Sequence, residues 1–341
     1  MKIRKQRNWS QYNQRLIRIA RVDFYLSNEA IDGWYYSDVR DPGGKKIYSD
    51  YVIELSLLLK EFYNLGYRQT QGFISSILTM SGYKDLSTPD YTTLSRRCEN
   101  LFVDIRTRNK SNLDRMRKYR ESVVVAVDST GLSLYSYSDW HNLKHKEKST
   151  KNIDRWRKLH IAIDVKSGEI LSAIPTCSKD HDCEHLPQLL DKIDEDINIS
   201  AVCADMAYDN WSCRKAIMRR NARQLIPPRR NANEYDSSNY YRKITTDKNI
   251  LKERDEAIKY IKDNTMKDTT ITDNHITKKE SLEKARNLWK RKVGYHQRSL
   301  VETAMYQIKA HLGDKLTNKK ESTRNVQSLI KCKVINMINF A

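Results

Sequence analysis

The chain predicts an α/β layered domain preceded by an all-α region. Three patterns carry that expectation. Continuous apolar runs, "SVVVAVDSTG" (122–131) and "ISAVCADMAYDN" (199–210), have the length and β-branched content of buried strands. They alternate with helical stretches after a hairpin, the order that layers helices on a sheet. Residues 1–120, by contrast, read mostly as helix.

In chain order, "SDYVIELSLLLKEFYNLG" (49–66) carries an apolar stripe and ends at Gly66, expected as a helix C-cap. "YRQTQGFISSILTMSG" (67–82) is a second helical stretch, stopped by Gly82. "STPDYTTLSRRCENLFVDI" (87–105) opens with Thr88 as N-cap and Pro89 in the first turn. Two helices, a glycine-containing connection and a third helix rich in Tyr, Thr, Ser and Arg suggest a helix-turn-helix type unit. Tyr91, Thr92, Ser95, Arg96 and Arg97 would then face DNA phosphates or base edges. Residues 106–121 form a basic stretch without an apolar stripe, expected as a linker or exposed helix.

At residue 122 the period changes. The first strand is expected to end in an acid and a glycine turn. "KLHIAIDVKSGEILSAIPT" (158–176) gives two strands joined at Lys166–Ser167–Gly168. A short helix follows at 185–193, a buried strand at 199–210, a helix at 211–221 and a short strand at 223–228. Residues 229–285 are polar and poor in large apolar side chains, an insertion before the closing helix. Within it, 249–264 suits a helix and 268–279 a strand.

The 341 residues hold 62 Lys plus Arg against 43 Asp plus Glu, a net charge of +19. Such a surplus points to a polyanionic partner, nucleic acid ahead of an anionic membrane. No run approaches the ~18 apolar residues of a membrane span. The basic start "MKIRKQRNWSQYNQ" is not followed by the apolar stretch of a secretory signal. The cytoplasm is the expected setting. Six scattered cysteines without a C-x-x-C pair fit reduced thiols. "CSKDHDCEHL" (177–186) groups two Cys and two His, but its spacing suits a polar loop entering a helix better than zinc.

Two buried strands each deliver an aspartate at or near the C-terminal end, Asp128 and Asp205. Acids past apolar runs are costly unless solvated, paired or metal-bound, and ligand sites in layered sheets gather at strand C-termini. Glu302 supplies a third acid, on "GYHQRSLVETAMYQIKAHLG" (294–313), which is expected to be one helix. On a wheel of about 100° per residue, Tyr295, Arg298 and Lys309 fall within about 40° of Glu302. Val301, Met305, Ile308 and Leu312 form an apolar stripe beside that face. An ordinary Arg298–Glu302 pair on a solvated face is the bland alternative. Carboxylate oxygens suit Mg²⁺ or Mn²⁺, and a pair of such ions can serve both sides of a phosphodiester displacement. Asp128, Asp205 and Glu302 would hold the metals, Arg298 and Lys309 would grip phosphates, and Tyr295 would add a hydroxyl contact.

The segment 144–158, with Arg155, Arg157 and Lys158 at its end, is expected to be a hairpin that tracks the DNA backbone, against the alternative of a solvated loop. Trp140 and Trp156 flank it, more in keeping with core positions than with base stacking. His160 lies in a strand and is expected to be packed.

The spacing Y-x2-R-x3-E-x6-K, filled by Tyr295, Arg298, Glu302 and Lys309, resembles the signature helix of DDE transposases of the IS4/IS5 superfamily. "RNWSQYN" (7–13), "STPDYTTLSRR" (87–97), "VDSTGLSLY" (127–135), "RWRKLHIAID" (155–164) and "ADMAYDN" (204–210) narrow the resemblance to the IS5 group, similar to the IS903-type enzymes. The likeness runs through nearly the whole chain, in order. It implies an RNase H-like catalytic core over 121–341, a mixed sheet flanked by helices, with the polar insertion 229–285 longer than is usual. It implies a metal site of Asp128, Asp205 and Glu302, cleavage and transfer of insertion-sequence ends, and an N-terminal region, here 1–120, that recognises terminal inverted repeats. The partners would be double-stranded DNA, donor and target, and a second copy of the chain on paired ends. The setting would be a bacterial cytoplasm, at the nucleoid when bound. A repurposed transposase acting only as a DNA-binding protein is the alternative, and a different RNase H-like nuclease a third.

Overall fold

The computed structural model describes residues 9–21, 26, 28–36, 47–106, 121–134, 156–234, 248–269 and 278–340. The apolar runs do form strands. β1 (Val123–Leu134) lies antiparallel to β2 (Trp156–Asp164), which lies antiparallel to β3 (Ile170–Cys177). On its other side β1 is parallel to β4 (Ile199–Cys203), and β4 to β5 (Arg223–Leu225). The order is β3-β2-β1-β4-β5, and a short β6 (Lys315–Leu316) runs parallel to the far end of β1. A mixed sheet of this kind is consistent with the RNase H-like arrangement the sequence suggests.

The strands are apolar throughout because both faces are covered. Side chains alternate across a strand with period two. Ala126, Leu159, Ile161 and Cys203 enter one core, and Val125, Val127, Ala162 and Val202 enter the other. α6 (Asp182–Asp191) and α7 (Trp211–Arg219) cover the second face. The first is covered by elements from both ends of the chain. From the N-terminal part, after α1 (Trp9–Ile19) and α2 (Asn28–Asp32), come α3 (Asp50–Phe62), α4 (Tyr67–Met80) and α5 (Tyr91–Cys98). From the other end come α10 (Ser299–Leu312) and α11 (Glu321–Phe340). One apolar core therefore continues from the N-terminal helices into the sheet, across the boundary expected at residue 120. α11 is its hinge piece. Asn336, fully buried, donates to the carbonyls of Ile105 and Ile170 at 3.0 and 2.9 Å and accepts from Ile170 N–H at 2.9 Å. The β2–β3 register shifts between Ala162 and Ile163, so Asn336 serves the backbone of Ile170 beside that irregularity. Lys333 pairs with Glu54 of α3, both buried.

Several boundaries depart from expectation for local reasons. Gly66 caps the start of α4 with an extended backbone, and Asn64 takes the left-handed turn after α3 (φ 52°). Asp90, not Thr88, is the N-cap of α5, accepting the N–H groups of Thr92 and Thr93 at 2.8 and 3.0 Å. The connection from α4 to α5 spans 81–90, longer than a tight helix-turn-helix joint. β1 runs on through Gly131, where a side chain would meet the Trp156 ring at 3.1 Å. No turn forms there, whereas the hairpin turn expected at Lys166–Ser167–Gly168 does form, with Gly168 at φ 84° between β2 and β3.

Within the polar insertion, α8 (Lys248–Thr269) and α9 (Lys278–Val293) pack together around Ala257, Ile261, Ala285 and Trp289. Residues 235–247 and 270–277 lie outside the described residues, so the strand expected over 268–279 falls mostly there; 268–269 close α8 and 278–279 open α9. The pair docks on the sheet edge through Asp209, which accepts from Arg214 at 2.8 Å and from Arg254 of α8 at 3.3 Å.

Candidate active site

Asp128 owes its place to strand period. Ala126 and Cys203 are register partners on the parallel strands β1 and β4. Two residues further along lie Asp128, still on β1, and Asp205, just past the end of β4, and the Asp205 charge acts on Asp128. Asp128 thus sits inside β1, not at its end as expected. Asp205 keeps an extended backbone (φ −77°, ψ −179°) and then caps the 3-10 turn Met206–Tyr208, accepting Ala207 N–H at 2.7 Å. Burial pushes the Asp128 carboxyl above the usual carboxylate range and the Asp205 charge pushes the same way. Ser129 N–H, 2.8 Å away, and the Arg298 guanidinium oppose them.

The third acid arrives on α10, whose Val301, Met305, Ile308 and Leu312 are buried as the stripe predicts. The single helix expected over 294–313 is broken. Gly294 takes a left-handed backbone (φ 75°) after α9, and Tyr295–Arg298 tighten into a 3-10 turn before α10 begins. That turn contacts both β1 and β4. It delivers Arg298 between the strand and helix acids. Arg298 Nη1 donates to Asp128 Oδ2 at 2.5 Å, and Nη2 donates to Glu302 Oε1. Glu302 itself is largely exposed, as is Lys309 about two turns further on. Tyr295 is half-buried, and burial is the largest of the causes that push its hydroxyl up to about 12. Its ring centre lies 6.4 Å from that of Trp289.

The donor chemistry fits hard divalent cations. Asp128 and Glu302 bind a single cationic group, the Arg298 guanidinium, and the Asp205 charge acts on Asp128. Among the described residues no three His, Cys, Asp or Glu side chains are gathered tightly enough to hold one ion. Arg298 is the cation that bridges Asp128 and Glu302 in this structure. The lack of a three-ligand group also leaves the 177–186 cluster without a metal cage; Cys177 Sγ lies 2.7 Å from Asp180 Oδ1 instead.

Other expected contacts are held inside the fold. Arg157 is buried and bonded to Glu321 (2.6 Å) and Asn325 (3.2 Å). Lys158 donates to Asp182 at 2.9 Å and to the Asp180 carbonyl at 2.7 Å. Arg97 pairs with Asp50 and donates to the Tyr48 carbonyl at 2.9 Å. Tyr91 and Arg96 are exposed at the start and end of α5, with Arg68 4.7 Å from the Tyr91 ring centre. Trp156 is half-exposed over Gly131. Arg155 and Trp140 lie outside the described residues. His160 is fully buried against Thr176 at 2.9 Å, as expected of a packed residue.

Two cations that the sequence did not single out approach this region from α9. Lys290 Nζ lies 5.9 Å from the Tyr295 ring centre, and Arg286 Nη1 lies 3.8 Å from Met206 Sδ. Their only sequence signal is position, Arg286 beside and Lys290 just past the apolar stripe of Leu282, Ala285 and Trp289. Among the described residues no helix is long and apolar enough to cross a membrane. A family model described as a transposase DDE domain matches residues 119–337, and a second of the same description matches residues 17–137. No solved structure matches the chain.

Proposed function

The chain belongs to the DDE transposase family, metal-dependent enzymes that cut and rejoin DNA, and from that premise we propose that it mobilises an insertion sequence of the IS5 group. The observation that carries the reading is Asp128 on β1 beside Asp205, which follows the adjacent parallel strand β4, with Arg298 joining Asp128 to Glu302.

Asp128, Asp205 and Glu302 would hold two Mg²⁺ or Mn²⁺ ions. When bound, these would polarise the attacking oxygen and stabilise the leaving one. The chain's own residues do the rest. β1 fixes Asp128, the capped turn just past β4 fixes Asp205, and α10 fixes Glu302. Arg298 and Lys309 contact phosphates, and Tyr295 contributes its hydroxyl. In the first step water attacks the phosphodiester at the transposon end; the new P–O bond forms as the bond to the 3′ oxygen breaks, leaving a 3′-hydroxyl. In the second that hydroxyl attacks target DNA, joining the ends as a target 3′ oxygen departs. No covalent link to the protein is needed.

Residues 1–120, with Tyr91 and Arg96 exposed on α5, would recognise the terminal inverted repeats. The net charge of +19 supports DNA as the partner. Pairing two ends requires at least a dimer, and the setting would be the bacterial cytoplasm. The test is a cleavage assay on a paired-end substrate with Mg²⁺. Asp128→Asn, Asp205→Asn and Glu302→Gln should each abolish cutting while leaving end binding largely intact. A Glu302→Gln protein that cuts at the wild-type rate would refute the assignment.

A further inference from the structure

Among the described residues three arginines are more than nine-tenths buried: Arg157, Arg214 and Arg286. Two are neutralised. Arg157 bonds Glu321, and Arg214 bonds Asp209, Gln224 and the Ile226 carbonyl. Arg286 has no such partner. It is 6% exposed, its Nε has no hydrogen-bond acceptor, and its Nη1 reaches only the weak acceptor Met206 Sδ at 3.8 Å. A charge removed from water without a counterion is costly, so a fold does not hold one there for stability.

Two charged neighbours act on it in opposite senses, Glu283 more strongly than Arg230. Arg230, exposed just past β5, stands close enough to push against Arg286 electrostatically. Glu283, on the preceding turn of α9, attracts it but forms no ion pair. Burial and the Arg230 charge lower the Arg286 pKa, and Glu283 opposes them. Arg286 lies beside the turn that Asp205 caps, since Met206 is the next residue in the chain. One helical turn further along α9, Lys290 meets Tyr295, and past the helix Arg298 meets Asp128 and Glu302. Cationic groups thus lead outward from the carboxylates along α9.

We propose that Arg286 and Arg230 form a clamp for a backbone phosphate of the DNA strand that enters the site past Asp205. The inference rests on the transposase reading and extends it: α9, which leads out of the polar insertion, presents a track for the substrate. The guanidinium supplies the paired N–H donors that a phosphate accepts, and the missing counterion is the substrate itself.

The test uses the full chain without divalent metal, so that binding is measured apart from cleavage. The probe is a fluorescein-labelled duplex of mixed sequence, about 30 base pairs long, because phosphate contacts are independent of sequence. Arg286→Gln and Arg230→Gln should each weaken binding about tenfold and make the slope of log affinity against log salt shallower by about one. Arg286→Lys should keep the slope. The melting temperature of Arg286→Gln should stay level or rise, because the substitution removes an unpaired buried charge. Unchanged affinity and slope in both glutamine variants, with wild-type binding intact, overturns the clamp alone. So does a lowered melting temperature in Arg286→Gln together with an unchanged slope in Arg230→Gln. A wild-type chain with no affinity for DNA overturns the transposase reading and the clamp with it.

Discussion

Asn336→Ala tests whether the two ends of the chain are fastened to the sheet by one side-chain amide. The amide has no solvent access and makes three bonds, two donated to the carbonyls of Ile105 and Ile170 and one accepted from Ile170 N–H. Truncation leaves a buried N–H without a partner, which costs about 1–3 kcal/mol, and deprives two carbonyls that each keep a second lone pair, at somewhat less apiece. The expected loss is about 3 kcal/mol in all. Asn336→Leu refills the volume without restoring a bond, so it should lose as much; this separates hydrogen bonding from packing. Urea unfolding followed by circular dichroism and by tryptophan fluorescence gives the loss as a midpoint shift at constant slope. Losses under about 1 kcal/mol in both variants would refute the reasoning, because the orphaned groups would then have found other partners.

His160 carries a pH prediction. Burial and the neighbouring His185 hold its pKa at about 4 against 6.5 for the free side chain. The unfolded chain therefore takes up the proton first, and stability falls as pH drops from 6.5 toward 4, by on the order of 3 kcal/mol at most. Melting temperatures across that range should fall less steeply for His160→Gln than for the wild type; parallel curves would count against a neutral buried imidazole. Gly294→Ala forces a side chain onto a left-handed backbone and brings its Cβ within 3.2 Å of Gln297 Nε2. It should cost about 1–2 kcal/mol of stability and reduce cleavage far more than stability, because the turn carrying Tyr295 and Arg298 shifts. Cleavage that falls no more than melting predicts would show that the turn tolerates displacement.

Much of this arrangement is legible in the sequence where a local period decides it. "SVVVAV" and "ISAVC" announce buried strands, and Val301, Met305, Ile308 and Leu312 announce the buried side of α10. The spacing of Tyr295, Arg298, Glu302 and Lys309 flags the site because a helix-like segment turns spacing into direction. The rest depends on partners distant in sequence. Gly131 resembles a turn residue until Trp156 is found over it, and Asn64 outcompetes Gly66 for the left-handed position because α4 begins at Tyr67. The insertion shows its first helix in the sequence but not the second, because α8 and α9 share a core of only a few apolar residues, none persuasive alone. Arg157 and Lys158 look like DNA contacts in a basic segment, yet Glu321 and Asp182 engage them from other elements. Arg286 is one basic residue among many until its burial and lack of a counterion are seen.

The position of α11 has a consequence for synthesis. This helix covers the face of the sheet that also holds α3, and it supplies Lys333 to Glu54 and Asn336 to Ile105 and Ile170. Until residues 321–340 have left the ribosome, the part of that face which α11 covers stays bare. A nascent chain at that stage exposes apolar surface that favours aggregation, and the Lys333 and Asn336 fastenings form only after α11 has emerged.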